Sequence, residues 1–177
     1  MLVVEAPCNC SYFYGGQNWA PTHFSEPISQ FRNTVARLVG VHPLVLNSLN
    51  CNKYETSDQD IAWHSDNEAL FRRSESQRNT FIVSVSFGAQ RKFAFRKKLN
   101  GGAFHEILLN DADLMTMEGL FQDDFEHALL PGDSSQHAFA SSSGTDAHVR
   151  YNFTFRQLVR HNRRCVMKRV ALKKVPN

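Results

Sequence analysis

Hydrophobic positions along the chain change from helical to strand-like spacing. Ile28, Phe31, Val35, Leu38 and Val39 recur three and four residues apart between Pro27 and Val41, with Gly40 and Pro43 behind them, which predicts one amphipathic helix. Downstream the period falls to two. Phe81, Val83, Val85 and Phe87 alternate with Ile82, Ser84 and Ser86, and Phe93 and Phe95 then alternate with Lys92, Ala94 and Arg96. Two strands follow from that pattern, and Gly88-Ala89-Gln90 between them predicts a hairpin. Further short runs at Phe104–Leu109, Leu114–Glu118 and Arg150–Arg156 are separated by turn-rich stretches such as Asn100-Gly101-Gly102 and Pro131-Gly132-Asp133. The fold class expected is mainly β with flanking helices, a sandwich or jelly roll. The Ser- and Gly-rich stretch 132–144 predicts a mobile surface loop.

In the last of these strands, alternation puts Arg150, Asn152, Thr154 and Arg156 on one face and Tyr151, Phe153 and Phe155 on the other. The aromatic face is expected in the core. Two Arg and an Asn lining a sheet then need an acceptor, because burying such groups unpaired is costly. At about 3.3 Å per residue the two Arg Cα atoms are roughly 20 Å apart, which leaves room between the side chains for a short dicarboxylate. An ordinary solvent-facing edge strand is the alternative.

Trp63-His64-Ser65-Asp66 is a second candidate. A His and an Asp two apart on extended backbone face the same way. With a distant His they make the two-His-one-carboxylate triad that binds Fe(II) and leaves three coordination positions open. About one such H-x-[DE] pair is expected by chance in a chain with eight His, so the spacing alone does not identify a site. His105, His127, His137, His148 and His161 all remain open as the distal ligand; His127 begins the apolar run His127-Ala128-Leu129-Leu130 and has the sequence context of a strand start.

Composition narrows the class. The chain has 177 residues, enough for one domain with a sizeable core, and its 42% hydrophobic and 21% charged content excludes wholesale disorder and collagen-like or coiled-coil chains. No apolar run of about 18 residues exists, and Met1–Ala6 contains Glu5 and no basic start, so neither a membrane span nor a secretory signal is expected. An intracellular protein is expected, nucleus and cytoplasm being indistinguishable. Cys8, Cys10, Cys51 and Cys165 lack CxxC spacing, which argues against a four-thiolate zinc site and for structural or incidental thiols in a reducing compartment. The net charge of +3 is uneven: residues 157–177 carry seven Lys and Arg and no acid, leaving residues 1–156 with 13 bases against 17 acids, or −4. That basic tail, with Val166, Met167, Val170 and Leu172 interleaved, reads as an amphipathic helix or a localisation signal, and Arg91, Lys92, Arg96, Lys97 and Lys98 form a second basic cluster suited to phosphates.

Asn52-Lys53-Tyr54, His64-Ser65-Asp66, Ser84-Val85-Ser86-Phe87-Gly88-Ala89, Met117-Glu118-Gly119 followed by His127, and Arg150-x-Asn152-x-Thr154-x-Arg156 occur in one order. In that order and spacing, over roughly residues 10–160, the chain resembles the AlkB family of Fe(II)- and 2-oxoglutarate-dependent dioxygenases, and within it the eukaryotic nucleic-acid repair demethylases. The resemblance implies a double-stranded β-helix at 1–160, residues 1–25 being an aromatic arm and partial substrate lid, with 161–177 as a basic tail. It implies His64, Asp66 and His127 as iron ligands, Arg150 and Arg156 on the carboxylates of 2-oxoglutarate, and Asn52, Tyr54 and Asn152 completing its hydrogen bonds. The cofactors implied are Fe(II), 2-oxoglutarate and O2. The chemistry implied is oxidative removal of N-methyl groups from bases such as 1-methyladenine and 3-methylcytosine in DNA or RNA, releasing formaldehyde, succinate and CO2.

For the substrate, the resemblance points to Tyr12, Phe13 and Tyr14 as stacking rings, to Asn67 and Glu68 beside the base, and to Arg91 and Lys92 on the backbone. Asn67 stands where similar proteins often carry Asp, a departure that bears on base or strand preference. Alternatively the aromatics staple the arm to the core, and Glu68 is a solvated acid. Fewer than a dozen residues precede Tyr12, fewer than in relatives acting on duplexes, so single-stranded nucleic acid is the expected partner, an unstacked base sparing a flipping cost of a few kcal/mol. A monomer is expected, with no membrane partner. The same chemistry on a protein substrate, and a catalytically silent nucleic-acid-binding module, are the competing readings.

Overall fold

The structure, a computed structural model, describes residues 1–14, 16–71, 79–99, 103–132, 149–163 and 165–169. Its chain groups into two compact units, Met1–Asn50 with Glu68–Gln77 and Phe155–Asn177, and Cys51–Asn67 with Arg78–Thr154. Most of the predicted loop at 132–144, together with His137, His148, Val170 and Leu172, lies outside the described residues.

The first unit holds β1 (Leu2–Val4), β2 (Tyr12–Tyr14), β3 (Gln17–Trp19), β4 (Thr22–His23), α1 (Glu26–Leu38) and the start of β5 (Ser48–Tyr54). β1 runs parallel to β4 and antiparallel to β5, with Leu2 opposite Asn50 and Val4 opposite Ser48. α1 begins behind Ser25 with Pro27 in its first turn, a position where the missing N–H costs nothing, and it ends before Gly40, which adopts φ +71°. The helix buries Arg32, Val35 and Ala36. Leu38, expected on its apolar face, is 70% exposed, because the helix stops there and the core stripe has already ended at Ala36. Burial of Arg32 is offset by its ion pair with Glu5 and by its guanidinium lying 4.7 Å from the Phe24 ring centre. Leu2, Val4, Cys8, Cys10, Tyr12, Phe71, Leu158 and Cys165 form the core of this unit.

The second unit holds the rest of β5, then β6 (Ile61–His64), β7 (Thr80–Gly88), β8 (Arg91–Lys97), β9 (His105–Leu109), β10 (Leu114–Gly119), the single-turn α2 (Phe121–Asp124), β11 (Phe125–Leu129) and most of β12 (Arg150–Arg156). One sheet runs in the order β10-β7-β12-β5 and the other in the order β6-β11-β8-β9. Ile82 and Met117 of the first meet Phe93 and Leu109 of the second in a shared core, the arrangement of two facing jelly-roll sheets. Ile82 is 1% exposed, and truncating such a side chain to Ala costs about 2–5 kcal/mol. The fold is thus mainly β with flanking helices.

The predicted hairpin is not formed. β7 pairs with β10, Val85 opposite Leu114, whereas β8 pairs with β11 and β9 in the other sheet. Every residue of β7 from Ile82 to Ser86 is buried, so this strand needs neighbours on both edges and cores on both faces. Gly88 turns the chain between sheets at φ +86°, and a Cβ there would run into the Val149 carbonyl oxygen. Among the described residues no helix is long and apolar enough to cross a membrane.

Candidate active site

β6 and β11 run antiparallel with His64 and His127 as direct Cα partners, which puts two residues 63 apart in sequence side by side, with ring centres at 4.3 Å. Asp66 follows β6 by two residues. The donor atoms of His64, Asp66 and His127 all lie within 4.8 Å of one another, and His64 Nε2 is 3.9 Å from Asp66 Oδ1. One metal at about 2.1 Å from each donor spans up to about 4.2 Å, so this pair can hold a single ion as it stands. Nitrogen, nitrogen and carboxylate oxygen, with no further protein donor in the group, suit a non-haem Fe(II) with open positions. His64 Nδ1 lies 2.8 Å from the Ala62 carbonyl oxygen; a carbonyl only accepts, so the proton sits on Nδ1 and Nε2 keeps its lone pair for a metal. Phe93 stacks on the His127 ring at 5.3 Å.

Three supports were not read from the sequence. Gln122, 1% exposed in α2, accepts a 2.9 Å hydrogen bond at Oε1 from the Asp66 amide, and its Nε2 donates to Met117 Sδ at 3.4 Å. Ser65 Oγ donates to the Phe125 carbonyl at 2.8 Å and pins the end of β6 to the start of β11. Ser84 and Ser86 serve the polar face of β12. A Gln five residues before a distal His in an apolar-to-acidic turn is the signal that marks Gln122. Of the other histidines, His105 is exposed and stacked on Phe95, and His161 belongs to the first unit.

On β12 the predicted polar face is buried at Arg150, Thr154 and Arg156 and half-buried at Asn152. The aromatic face departs from expectation: Phe155 is in the core, but Tyr151 is 42% exposed and Phe153 only half-buried against Phe87. The sheet is covered fully only near the end of this strand. Arg150 has 0% exposure; its Nη1 donates to the Ala89 carbonyl at 3.1 Å and its Nη2 to Ser86 Oγ at 2.5 Å, while Nε is buried with no acceptor. Burial holds this guanidinium down to about 10, opposed by the nearby Tyr54 phenol. A buried cation with a spare donor fits an anion, and the planar fork fits a carboxylate. Asn152 donates to Ser84 Oγ at 2.7 Å and accepts at Oδ1 from Thr154 at the same distance. Asn52 and Tyr54 share one face of β5, beside β12 in the sheet. Arg156 belongs to the first unit, where its guanidinium lies 5.3 Å from the Phe71 ring centre.

The residues expected at the substrate divide sharply. Tyr12 is buried, its ring edge-on to Phe71 at 5.7 Å and its hydroxyl donating to Glu68 Oε1 at 2.5 Å; it belongs to the core and presents no stacking face. Phe13, next on the strand and so on the opposite side, is 68% exposed, and Tyr14 ends β2. Glu68 is engaged by Tyr12 rather than being a solvated acid, and Asn67 is exposed. Arg91 is a correction: only 2% exposed, it shares the inward face of β8 with Phe93, donates to the backbone carbonyls of Leu130 and Gln59, and lies over Tyr54. It braces the interior and is not available to phosphate. Lys92 points outward and pairs with Glu106 at 2.9 Å. Arg96 pairs with Glu126 and lies 4.1 Å from the Trp63 ring centre, while Lys98 donates to the Gln122 carbonyl.

Residues 5–156 match the 2OG-Fe(II) oxygenase superfamily. The chain is 38% identical over 113 residues to human alpha-ketoglutarate-dependent dioxygenase alkB homolog 3, covering 59% of this chain and 37% of that protein. It is 38% identical over 52 residues to DNA oxidative demethylase ALKBH2 of Arabidopsis thaliana, covering 29% of this chain and 15% of that one. The matched stretch therefore spans 37% of the length of the first of these curated relatives and 15% of the second. The solved structure of OsALKBH1 superposes with a TM-score of 0.54 at 17% identity, over 78% of this chain and 66% of that one, a likeness of fold.

Proposed function

Because the chain belongs to the 2OG-Fe(II) oxygenase superfamily and to its AlkB branch, we propose that it oxidatively demethylates N-alkylated bases such as 1-methyladenine and 3-methylcytosine in DNA or RNA, with single strands favoured. The observation that carries this reading is the convergence of His64, Asp66 and His127 in the same unit as the fully buried Arg150 with its spare Nε donor. Bound iron and 2-oxoglutarate supply the oxidation, consuming O2 and releasing succinate, CO2 and, from the methyl group, formaldehyde.

The protein's own residues bind, orient and exclude water. Ala62 holds the His64 ring by its Nδ1 proton, and Gln122 holds the Asp66 backbone, so two ligands are placed before any metal arrives. Arg150, oriented by Ser86 and the Ala89 carbonyl, takes one carboxylate of 2-oxoglutarate; Asn52, Tyr54 and Asn152 add hydrogen bonds to that co-substrate. Phe93, stacked on His127, would shield that ligand's ring from water, and the low polarity there would strengthen each charge interaction. Phe13 offers a ring on which a base stacks for about 1–3 kcal/mol, Asn67 lies one residue from the metal ligand Asp66, and Lys92 is placed outward for a phosphate. Single strands are favoured because an unstacked base carries no flipping cost.

The test is turnover of methylated single- and double-stranded oligonucleotides, DNA and RNA, with formaldehyde and succinate measured together. Methylated peptides run in parallel. Equal release of both products from a methylated single strand is expected, abolished in His64→Ala and Asp66→Ala chains. Turnover surviving in either variant, or confined to the peptides, overturns the proposal.

A further inference from the structure

The first unit contains a second cluster of metal-binding side chains, made from the two distant ends of the chain. Cys8, Cys10, His161 and Cys165 bring three sulfurs and one imidazole nitrogen within 4.8 Å of one another. His161 Nδ1 is 3.4 Å from Cys8 Sγ, 3.7 Å from Cys10 Sγ and 3.5 Å from Cys165 Sγ, and Cys8 Sγ and Cys165 Sγ are 3.6 Å apart. A tetrahedral zinc with bonds of about 2.3 Å to sulfur and about 2.05 Å to nitrogen has N···S edges of about 3.6 Å and S···S edges of about 3.8 Å. These four separations fall within about 0.2 Å of edges of that tetrahedron, and the remaining two S···S distances are within 4.8 Å. From them we infer that Cys8, Cys10, His161 and Cys165 form a structural Zn(II) site.

Buried cysteines are common simply as small apolar side chains, so burial alone would mean nothing. Here all three sulfurs surround one imidazole nitrogen, whereas Cys51, the remaining thiol, lies in the other unit. The three cysteines are free rather than bridged. The Asn162 amide donates to Cys10 Sγ at 3.3 Å, the kind of N–H···S bond that supports a metal-bound thiolate. Thiolate and imidazole donors select zinc over the hard cations, and four protein ligands leave no position for a substrate. The ion would fasten residues 8–10 to residues 161–165 and so close the core of the first unit, to which Cys8, Cys10 and Cys165 already belong. The spacing Cys-x-Cys and His-x3-Cys conceals the site in the sequence, since each half supplies only two ligands.

The test uses the full chain and Co(II) as the probe, because cobalt reports its ligands by colour. The triad of the proposed iron site also binds cobalt but has no sulfur, so the experiment is run on a His64→Ala chain beside the wild type. One equivalent of Co(II) is expected to give thiolate-to-cobalt charge-transfer absorption and the intense visible bands of a tetrahedral ion in both chains, displaced by one equivalent of Zn(II). A Cys10→Ser, Cys165→Ser double variant loses these bands, while Cys51→Ser keeps them. Metal analysis of the His64→Ala chain is expected to find one zinc per molecule. Weak, sulfur-free spectra from the folded His64→Ala chain, absence of zinc from it, or a disulfide among Cys8, Cys10 and Cys165 under non-reducing mass spectrometry overturns the inference, whether or not the cysteine variants fold.

Discussion

The backbone amide of Asp66 donates to Oε1 of Gln122 at 2.9 Å, across 56 residues of sequence, with both residues 1% exposed. A carboxylate that is to bind a metal is held here by its main chain. Replacing Gln122 by Leu keeps the volume and removes the acceptor. Fe(II) or Mn(II) affinity, followed by titration under anaerobic conditions, is expected to fall about 10- to 100-fold. Gln122→Glu, which retains an acceptor, recovers part of the loss.

Arg150 carries the second electrostatic prediction. Its guanidinium is held down to about 10 by burial, and only the charged form pairs with a carboxylate. Affinity for 2-oxoglutarate is therefore expected to be flat between about pH 7 and 9 and to weaken as pH rises through about 10. Arg150→Lys keeps a charge but loses the planar fork, and its KM for 2-oxoglutarate rises about tenfold or more.

Tyr12 and Phe13 are neighbours with opposite environments, and their substitutions separate core from surface. Tyr12→Phe removes the hydrogen bond to Glu68 and is expected to cost about 1–3 kcal/mol of stability in urea unfolding. Phe13→Ala is expected to leave stability within about 0.5 kcal/mol while weakening oligonucleotide binding roughly tenfold, read by anisotropy.

Arg91 and Lys92 give a matching pair. Arg91→Ala strips the Leu130 and Gln59 carbonyls of a buried donor and is expected to destabilise the fold by about 3 kcal/mol, shown by a lower denaturant midpoint. Lys92→Ala leaves the midpoint nearly unchanged and reduces the salt dependence of oligonucleotide binding. Equal stability loss in the two variants would contradict the placement of Arg91 in the interior.

Local patterning alone made a good part of the fold legible. The helix near residues 26–38 and the strands at 105–109, 114–119 and 150–156 fall where spacing places them, because period depends only on neighbouring residues. The hairpin between β7 and β8 failed because alternation says that a strand exists and not which edge it joins. Burial of Arg91 failed for a related reason: a charge cluster in sequence is divided between two faces once the strand forms, and Arg91 falls on the inner one with Phe93.

By itself, then, the sequence determined which side chains share a face: Arg150 with Asn152, and His64 with Asp66, since extended backbone points alternate residues the same way whatever surrounds them. The tertiary structure alone decided what meets across the chain. Register between β6 and β11 sets His127 opposite His64, α2 brings Gln122 under Asp66, and the packing of the first unit gathers Cys8, Cys10, His161 and Cys165 from its two ends. Those meetings depend on long-range pairing and on the burial of whole faces, which no local period records.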